Sequence, residues 1–320
     1  MAKEKIILDT DIGTEVDDAI TLAYLLANPD AEILGITTVT GEAEERAKLA
    51  SVLCKIAGKE IPIYPGCENP MLVPQIELYA PQKTVLSKWE HDKEFPKNRA
   101  VAFMQEMIHK HPGEITLICI APLTNVGLLF AMDPEIPSLL KRIVLMCGSP
   151  TYTRYDNTSE TMSAMEKSDV IVLGSKGVIE NNALIDPHAT KIVYDAKVGE
   201  HITCGLNVTS RLIMKPEEAE KIFHHPLLEP VLDIAREWFK DEERVTFHDP
   251  LTAVSLFHED VCRFEKGNLS IETDSRLLSG FTYWRPDEKG AHKVAMDVNK
   301  ELFFKYLFEV FDIQAADKNL

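Results

Sequence analysis

The feature that most constrains the fold is a regular alternation of short apolar runs with longer amphipathic stretches. The apolar runs are rich in β-branched residues and predict strands at 5–8, 33–39, 61–64, 116–120, 143–146 and 202–206. The stretches between them predict helices at 19–27, 44–57, 100–109 and 123–131. Continuous apolar strands separated by helices are typical of a parallel sheet that is covered on both faces.

The last third of the chain has a different pattern. Helical periodicity predominates after Asn207, with helices predicted at 216–224, 227–240, 247–257 and 301–311. The stretch 264–298 is instead typical of an antiparallel hairpin, with turn residues near 286–290. No repeat or low-complexity linker divides the chain. We therefore expect residues 1–320 to form a single α/β domain, with a mostly parallel central sheet flanked by helices and a helical C-terminal part.

The charge balance limits the partners of such a domain. The chain carries 51 acidic residues against 34 basic ones, a formal net charge of −17. This surplus disfavours binding to nucleic acid or to an anionic membrane, and suits a cation or an uncharged small molecule. The six cysteines lack C-x-x-C spacing, so buried free thiols are expected. The chain enters its first strand directly and has no long apolar run, which predicts a cytoplasmic protein without a membrane span.

An acidic loop follows the first predicted strand. Residues 9–18 contain five carboxylates, namely Asp9, Asp11, Glu15, Asp17 and Asp18. Helix capping explains one or two of them, but five like charges at one strand end must raise their pKa values or recruit a cation. Side chains two apart on a strand share a face, so Asp9 and Asp11 are expected to point the same way. An all-oxygen site is what Ca²⁺ or Mg²⁺ prefers, and the spacing is not that of an EF-hand.

Two later segments carry further polar side chains at predicted element boundaries. His248-Asp249-Pro250 precedes a predicted helix, and Glu180-Asn181-Asn182 offers a carboxylate and two amides suited to sugar hydroxyls. Taken alone, each is better explained by an ordinary helix start or turn.

Together these segments resemble the inosine-uridine preferring nucleoside hydrolase family. The family opens with a motif of the type D-T-D-P-G-x-D-D-A, which here reads Asp9 to Ala19 with Ile12 at the usual proline and two extra residues before the aspartate pair. The other family segments occur in order from Ile6 to about Phe311. They are 35–39, 123–125, 144–146, 180–187 and 248–250.

This resemblance implies hydrolysis of the N-glycosidic bond of ribonucleosides to ribose and free base, through a Ca²⁺-bound water that Asp11 activates. The implied ion is Ca²⁺, with Mg²⁺ as an alternative, and the implied partner is a small nucleoside. Family members are usually dimers or tetramers, so a homo-oligomer is expected. The implied ligands are the carboxylates of Asp11, Asp18 and Asp249 and the backbone carbonyl of Ile120. Asp17, Glu180 and Asn182 match ribose contacts, and His248 matches a residue that activates the leaving base.

The chain departs from the family pattern in three further places. Glu42 stands where many members carry an asparagine that contacts ribose. The family's loop over the substrate is replaced by 78–96, in which His91 is a candidate base contact or simply an exposed histidine. The stretch 152–177 is long and polar, and its Asn157 is a candidate ribose contact. Base preference is therefore left open.

Other functions remain open at this point. Altered loops would suit a hydrolase of modified or salvage nucleosides, and a non-catalytic relative could bind a nucleoside or sugar without turnover. A phosphatase of the haloacid-dehalogenase type would use Asp9-Thr10-Asp11 after its first strand. Its later lysine and aspartate signatures are not evident, and it assigns no role to His248-Asp249-Pro250.

Overall fold

The computed structural model describes residues 2–150, 171–172 and 178–313. In these residues, one sheet of nine strands runs through the centre. Its strands are β1 (Glu4–Thr10), β2 (Ala31–Thr38), β3 (Ile63–Pro65), β4 (Ile115–Cys119), β5 (Arg142–Leu145), β8 (His201–Thr203), β11 (Cys262–Ile271), β12 (Thr282–Pro286) and β13 (His292–Val298). Two short pairs lie apart from it, β6 (Ile171–Val172) with β7 (Val178–Ile179) and β9 (Ile213–Met214) with β10 (Val245–Thr246). The order across the main sheet is β12-β11-β13-β8-β5-β4-β1-β2-β3.

Helices connect the strands. In chain order they are α1 (Asp17–Ala27), α2 (Ala43–Ile56), α3 (Ala100–Lys110), α4 (Thr124–Met132), α5 (Ile136–Leu139), α6 (Asn181–Ile185), α7 (Pro187–Asp195), α8 (Leu206–Thr209), α9 (Pro216–Ile222), α10 (Glu229–Trp238), α11 (Pro250–Phe257) and α12 (Lys300–Glu309). Two 3₁₀ turns, Pro81–Ser87 and Glu259–Val261, complete the described elements.

The alternation of side chains along β1 shows how the sheet separates two cores. Ile6 and Leu8 belong to one apolar cluster and Ile7 to the other, and all three are fully buried. The first cluster includes side chains of α1, α2, α10, α11 and α12, and the second includes those of α3, α4 and α7. Successive strand residues point to opposite faces, so a strand covered on both sides must be apolar throughout. The expected α/β class with a mostly parallel sheet is confirmed.

The C-terminal strands differ from the expectation. The expected antiparallel pairing is present, since β11 pairs with both β12 and β13. However, β13 also pairs in parallel with β8, so the three strands extend the main sheet instead of forming a separate hairpin. Val294 and Ala295 on β13 are buried in opposite cores, and this placement depends on partners distant in sequence. Local periodicity could not reveal it.

The parallel strands bring their carboxyl ends to one edge of the sheet. The hydrogen-bond ladder continues past them: Ile120 donates its N–H to the carbonyl of Asp9 at 2.9 Å, and Met146 donates to the carbonyl of Cys119 at 3.0 Å. The residues that follow β1, β4 and β5 are thereby held side by side. In sheets of this kind, ligands bind outside this edge.

The helices give no indication of a membrane-spanning segment. No helix in the described part of the chain is both long enough and apolar enough to cross a bilayer.

A buried histidine makes stability depend on pH. His201 lies beside the rings of Tyr194 and His292, at centroid distances of 4.9 and 4.6 Å. Burial, and then the neighbouring His292, lower the pKa of His201 from 6.5 to about 3. The folded chain keeps this ring neutral while the unfolded chain protonates it, so its contribution is present above pH 6.5 and is lost as pH falls toward 3.

We therefore predict that His201→Gln removes one contribution that lowers stability in acid. From about pH 7 to about pH 5, the change in the free energy of unfolding should be about 2 kcal/mol less unfavourable in the variant than in the parent. Urea unfolding at both pH values measures this, with the exposed His224→Gln as control. Equal changes in the parent and the His201 variant would contradict the prediction.

Candidate active site

A pocket opens at the carboxyl edge of the sheet and is rich in carboxylates. Its acidic lining residues come from four separate parts of the chain and are Asp11, Glu15, Asp17, Asp18, Glu77, Glu180 and Asp249. Neutral groups from Thr14, Ile120, Met146, Asn181, Asn182, Leu206 and His248 complete it. None of the described residues that line it is a lysine or an arginine. Such a pocket suits a cation together with a hydroxyl-rich, uncharged ligand.

Most residues predicted from the sequence lie in this one pocket. It contains Asp11, Asp17, Asp18, Ile120, Glu180, Asn182, His248 and Asp249. Glu42 does not line it: its carboxylate accepts a hydrogen bond from the N–H of Ala80 at 2.9 Å and pairs with Lys83. Glu42 would have to give up both partners to bind a sugar. Asn157, and the rest of 152–177 apart from 171–172, lie outside the described residues.

One hydrogen-bonded junction joins the two most distant parts of the site. Oδ2 of Asp17 accepts the backbone N–H groups of His248 and Asp249, at 3.0 and 3.1 Å. These bonds hold the start of α11 against the start of α1. As a result, carboxylate oxygens of Asp17, Asp18 and Asp249 lie within 4.8 Å of one another.

The acidic loop is positioned by its neighbours. Asp17 and Asp18 occupy the first turn of α1, where the helix dipole favours negative charge. The hydroxyl of Thr10 donates to Oδ1 of Asp18 at 2.5 Å. Asp9 behaves differently from the expectation that it shares a face with Asp11. Its Oδ1 accepts hydrogen bonds from Thr37 and Asn125, away from the pocket, because β1 ends at Thr10 and strand alternation no longer applies to Asp11.

Burial and mutual repulsion make these carboxylates hard to ionise. The pKa of Asp18 is raised to about 8, mainly by burial and then by the charge of Asp17. Burial raises the pKa of Asp17 to about 6, although backbone N–H groups oppose this effect. The pKa values of Asp11 and Asp249 are raised well above their ordinary range, again by burial first and neighbouring carboxylates second. A bound divalent cation would remove this penalty, and the clustered oxygens have the chemistry that Ca²⁺ or Mg²⁺ prefers.

Glu180 and Asn182 also line the pocket, and hydrogen bonds hold both side chains. Oε1 of Glu180 accepts the N–H of Asn182 at 2.7 Å, and Oε2 accepts those of Gly148 and Ala183 at 2.8 and 3.0 Å. Glu180 therefore caps α6 and also joins it to the end of β5. The amide of Asn182 donates to the carbonyl of Met146 at 3.1 Å, which leaves its side-chain oxygen as an acceptor at the pocket wall.

His248 is a neutral imidazole in this setting. Burial, and then the charge of Arg244, lower its pKa to about 4. Its Nδ1 lies 2.8 Å from the hydroxyl of Thr209. When that hydroxyl donates to Nδ1, the ring carries its own hydrogen on Nε2. Nε2–H of His248 can then donate a hydrogen bond. The ring is not protonated at neutral pH, so it does not act as an imidazolium acid there.

The sequence missed several lining residues, and the reasons differ. Thr14 lies in the acidic loop, where the two extra residues already marked a difference from the family motif. Glu77 lies in no recognisable motif, so nothing in the sequence was a reason to select it. The segment 78–96, which replaces the family's loop over the substrate, contributes none of the described lining residues. Trp89 in this segment donates to Asp233 of α10 at 3.1 Å, and Asp92 pairs with Lys55 of α2 at 2.7 Å. These contacts pack the segment against α2 and α10.

The fold and the pocket define an α/β enzyme whose acidic site can hold a hard metal ion, and comparison with known proteins gives the family. A family model for inosine-uridine preferring nucleoside hydrolases matches residues 6–305. The chain belongs to this family. Membership confirms both the recognition made from the sequence and the expected enzyme class, a hydrolase acting on N-glycosyl compounds.

The names of individual relatives state different base preferences. The chain is 27% identical to uridine nucleosidase 1 of Arabidopsis thaliana, over 84% of this chain and 79% of the relative. It is 25% identical to the non-specific ribonucleoside hydrolase RihC of Salmonella newport, over 96% and 97%. Among solved structures, the purine-preferring ribonucleoside hydrolase of Gardnerella vaginalis superposes with a TM-score of 0.77 at 20% identity, covering 96% of this chain and 98% of that one. At that identity the likeness shows the fold alone.

The raised pKa values predict how a metal ion changes stability. Because the folded pKa values of Asp17 and Asp18 lie above 3.8, the ion-free protein is favoured at low pH and loses stability as pH rises through about 6 to 8. A divalent ion binds the ionised form, so added Ca²⁺ should raise the melting temperature more at about pH 8 than at about pH 5.

Thermal unfolding in chelator and in Ca²⁺ at both pH values measures this. Asp18→Asn should reduce the pH dependence of the chelated protein and most of the response to Ca²⁺. A Ca²⁺ effect that is absent, or equal at the two pH values, would count against the site.

Proposed function

We propose that the chain hydrolyses the N-glycosidic bond of ribonucleosides to release ribose and a free base. The observation that carries the proposal is the junction of Asp17 with residues 248 and 249. It assembles the aspartates of the first loop and Asp249 in one pocket, which Glu180 and Asn182 also line. Family membership supplies the reaction class.

The residues that would hold the ion are Asp11, Asp18 and Asp249 through carboxylate oxygens and Ile120 through its carbonyl. All four line the pocket. When bound, a Ca²⁺ ion would allow these carboxylates to be ionised together and would lower the pKa of a water molecule beside it. We favour Ca²⁺ over Mg²⁺ because several protein oxygens converge here, whereas Mg²⁺ usually keeps more of its waters.

Asp11 then serves as the general base. It lies in the pocket next to Asp18, close enough that the charge of Asp18 raises its pKa. An ionised Asp11 accepts the proton of the attacking water as the oxygen bonds to the anomeric carbon. The sugar develops positive charge as its bond to the base breaks, and the surrounding carboxylates stabilise that charge.

Asp17, Glu180 and Asn182 bind the ribose hydroxyls in this proposal. Each is already oriented by backbone groups, so little ordering is needed when the sugar binds. The leaving base receives a hydrogen bond from Nε2 of His248, whose neutral state follows from its burial.

Base preference is the part of the proposal that we leave broad. The segment 78–96 is drawn toward the helices and contributes none of the described lining residues, so a base contact from this segment has no support. This observation favours a second candidate within the same chemistry, a hydrolase of modified or salvage nucleosides. We also retain the expectation of a homo-oligomer, which light scattering on the purified protein would test.

Removing one proposed ion ligand should abolish turnover. We predict that Asp11→Ala, Asp18→Ala and Asp249→Ala each lower kcat/KM by about a thousand-fold or more, since each removes a charged ligand or the base. Release of base and of ribose is measured on a panel of purine, pyrimidine and modified ribonucleosides, with and without chelator.

Asp195→Asn, an exposed surface change, is the matched control. Near-normal turnover by the Asp249 variant would disprove the ion assignment. Base release that is absent with every nucleoside would favour a binding-only relative, and release of inorganic phosphate from phosphate esters would favour the phosphatase alternative.

The role of His248 predicts a dependence on the leaving group. His248→Ala should slow purine ribonucleosides by about 10- to 100-fold, as loss of a buried hydrogen bond to a developing charge costs about 1.5–3 kcal/mol. A riboside with a good leaving group, such as the O-glycoside 4-nitrophenyl riboside, should be slowed much less. Equal slowing of both substrate types would exclude a leaving-group role.

A further inference from the structure

A completely buried arginine lies behind the acidic wall of the pocket. Arg46 of α2 is 0% exposed, and its guanidinium donates hydrogen bonds in several directions. Nε donates to the carbonyl of Gly41 at 2.8 Å, and Nη1 donates to the Thr14 hydroxyl at 2.9 Å and to the carbonyl of Asp11. Because a buried charge is costly unless it is paired, these contacts define the position of Arg46 closely.

The carboxylate that pairs with Arg46 is Glu77. Nη2 of Arg46 donates to Oε1 of Glu77 at 2.8 Å, and the Thr14 hydroxyl donates to the same oxygen at 2.6 Å. Thr14 belongs to the lengthened part of the acidic loop. The lengthened loop and Arg46 therefore hold one oxygen of Glu77, a residue 31 positions after the arginine.

The second oxygen of Glu77 is available at the pocket. The side chain is 14% exposed and lines the pocket, and none of the described residues donates a hydrogen bond to Oε2. Arg46, which holds the other oxygen of Glu77, also donates to the carbonyl of Asp11, so Glu77 lies at the end of the pocket formed by the acidic loop, where the ion and the attacking water are proposed to bind. A carboxylate oxygen is an acceptor only, and near that end the donors on a nucleoside are sugar hydroxyls.

We propose that Glu77 is a specificity-determining residue whose free oxygen accepts a hydrogen bond from one sugar hydroxyl of the substrate. This inference rests on the proposed function. Thr14 and Arg46 position the carboxylate, so it is ordered before the sugar arrives, and a half-buried carboxylate left without its donor penalises a sugar that lacks this hydroxyl.

The test pairs residue changes with substrate changes. Glu77→Ala and the parent are compared on a good ribonucleoside substrate and on its 2′-, 3′- and 5′-deoxy forms. The variant should lower kcat/KM by about 10- to 100-fold on the ribonucleoside and on two deoxy forms, but by less than about 3-fold on the third, whose missing hydroxyl is the partner. An equal loss on all four substrates would overturn the proposal, because a purely structural role affects every substrate alike.

Further variants separate binding from folding. Glu77→Gln keeps an acceptor for Thr14 and Arg46 while removing the charge, and should show the same selective pattern with a smaller loss. Thr14→Val should weaken the discrimination between the ribonucleoside and the deoxy form that lacks the partner hydroxyl. Thr14→Ser, which keeps the hydroxyl donor, should retain that discrimination. The control is Glu68→Gln, a change at a carboxylate that accepts the N–H of Ala43 and does not line the pocket.

Calorimetric titration with D-ribose and its 2-, 3- and 5-deoxy forms gives an answer that does not require turnover. The parent should bind ribose more tightly than one deoxy form, and Glu77→Ala should remove that preference. If base release fails but this preference is found, the proposed reaction is wrong and the role of Glu77 stands. If the parent shows no preference that depends on Glu77, the role of Glu77 is wrong whatever the reaction.

Discussion

The site depends on the two hydrogen bonds that the carboxylate of Asp17 accepts from the backbone N–H groups of residues 248 and 249. They close a loop of more than two hundred residues onto the first strand end, and without them Asp249 would not join the aspartates of the acidic loop. A buried carboxylate loses its hydration, and two backbone N–H groups replace part of it. These bonds occupy one oxygen of Asp17, so in the proposed function this side chain would serve both folding and substrate binding.

The acidic pocket is a destabilising feature that the rest of the fold must offset. Four buried aspartates have raised pKa values, and every tenfold weakening of an acid corresponds to about 1.4 kcal/mol between its two protonation states. The central strands offset this cost because they bury apolar side chains in a large core on each face of the sheet. In the proposed function a bound cation would relieve this repulsion, which would link folding, metal binding and activity.

Particular residues show how far the sequence could be read. The runs around Ile6–Leu8 and Thr116–Cys119 were recognisable as strands because burial on both faces demands apolar residues at every position. The acidic loop was recognisable because five carboxylates at a strand end need an explanation beyond capping. The addition of β13 to the main sheet was not recognisable, since its partner β8 lies about ninety residues earlier and strand pairing leaves no local periodicity.

By itself, the sequence determined the parallel α/β architecture, the place of the acidic loop at a strand end, and the family through an ordered set of motifs. It could do so because hydrophobic period and motif order are local properties of the chain. Only the tertiary structure decided which carboxylates meet, that Glu42 bonds with Lys83 and Ala80 outside the pocket, and that Arg46 brings Glu77 to the pocket wall. These outcomes depend on side chains from separate elements competing for the same buried partners, and that competition is resolved only when the elements pack.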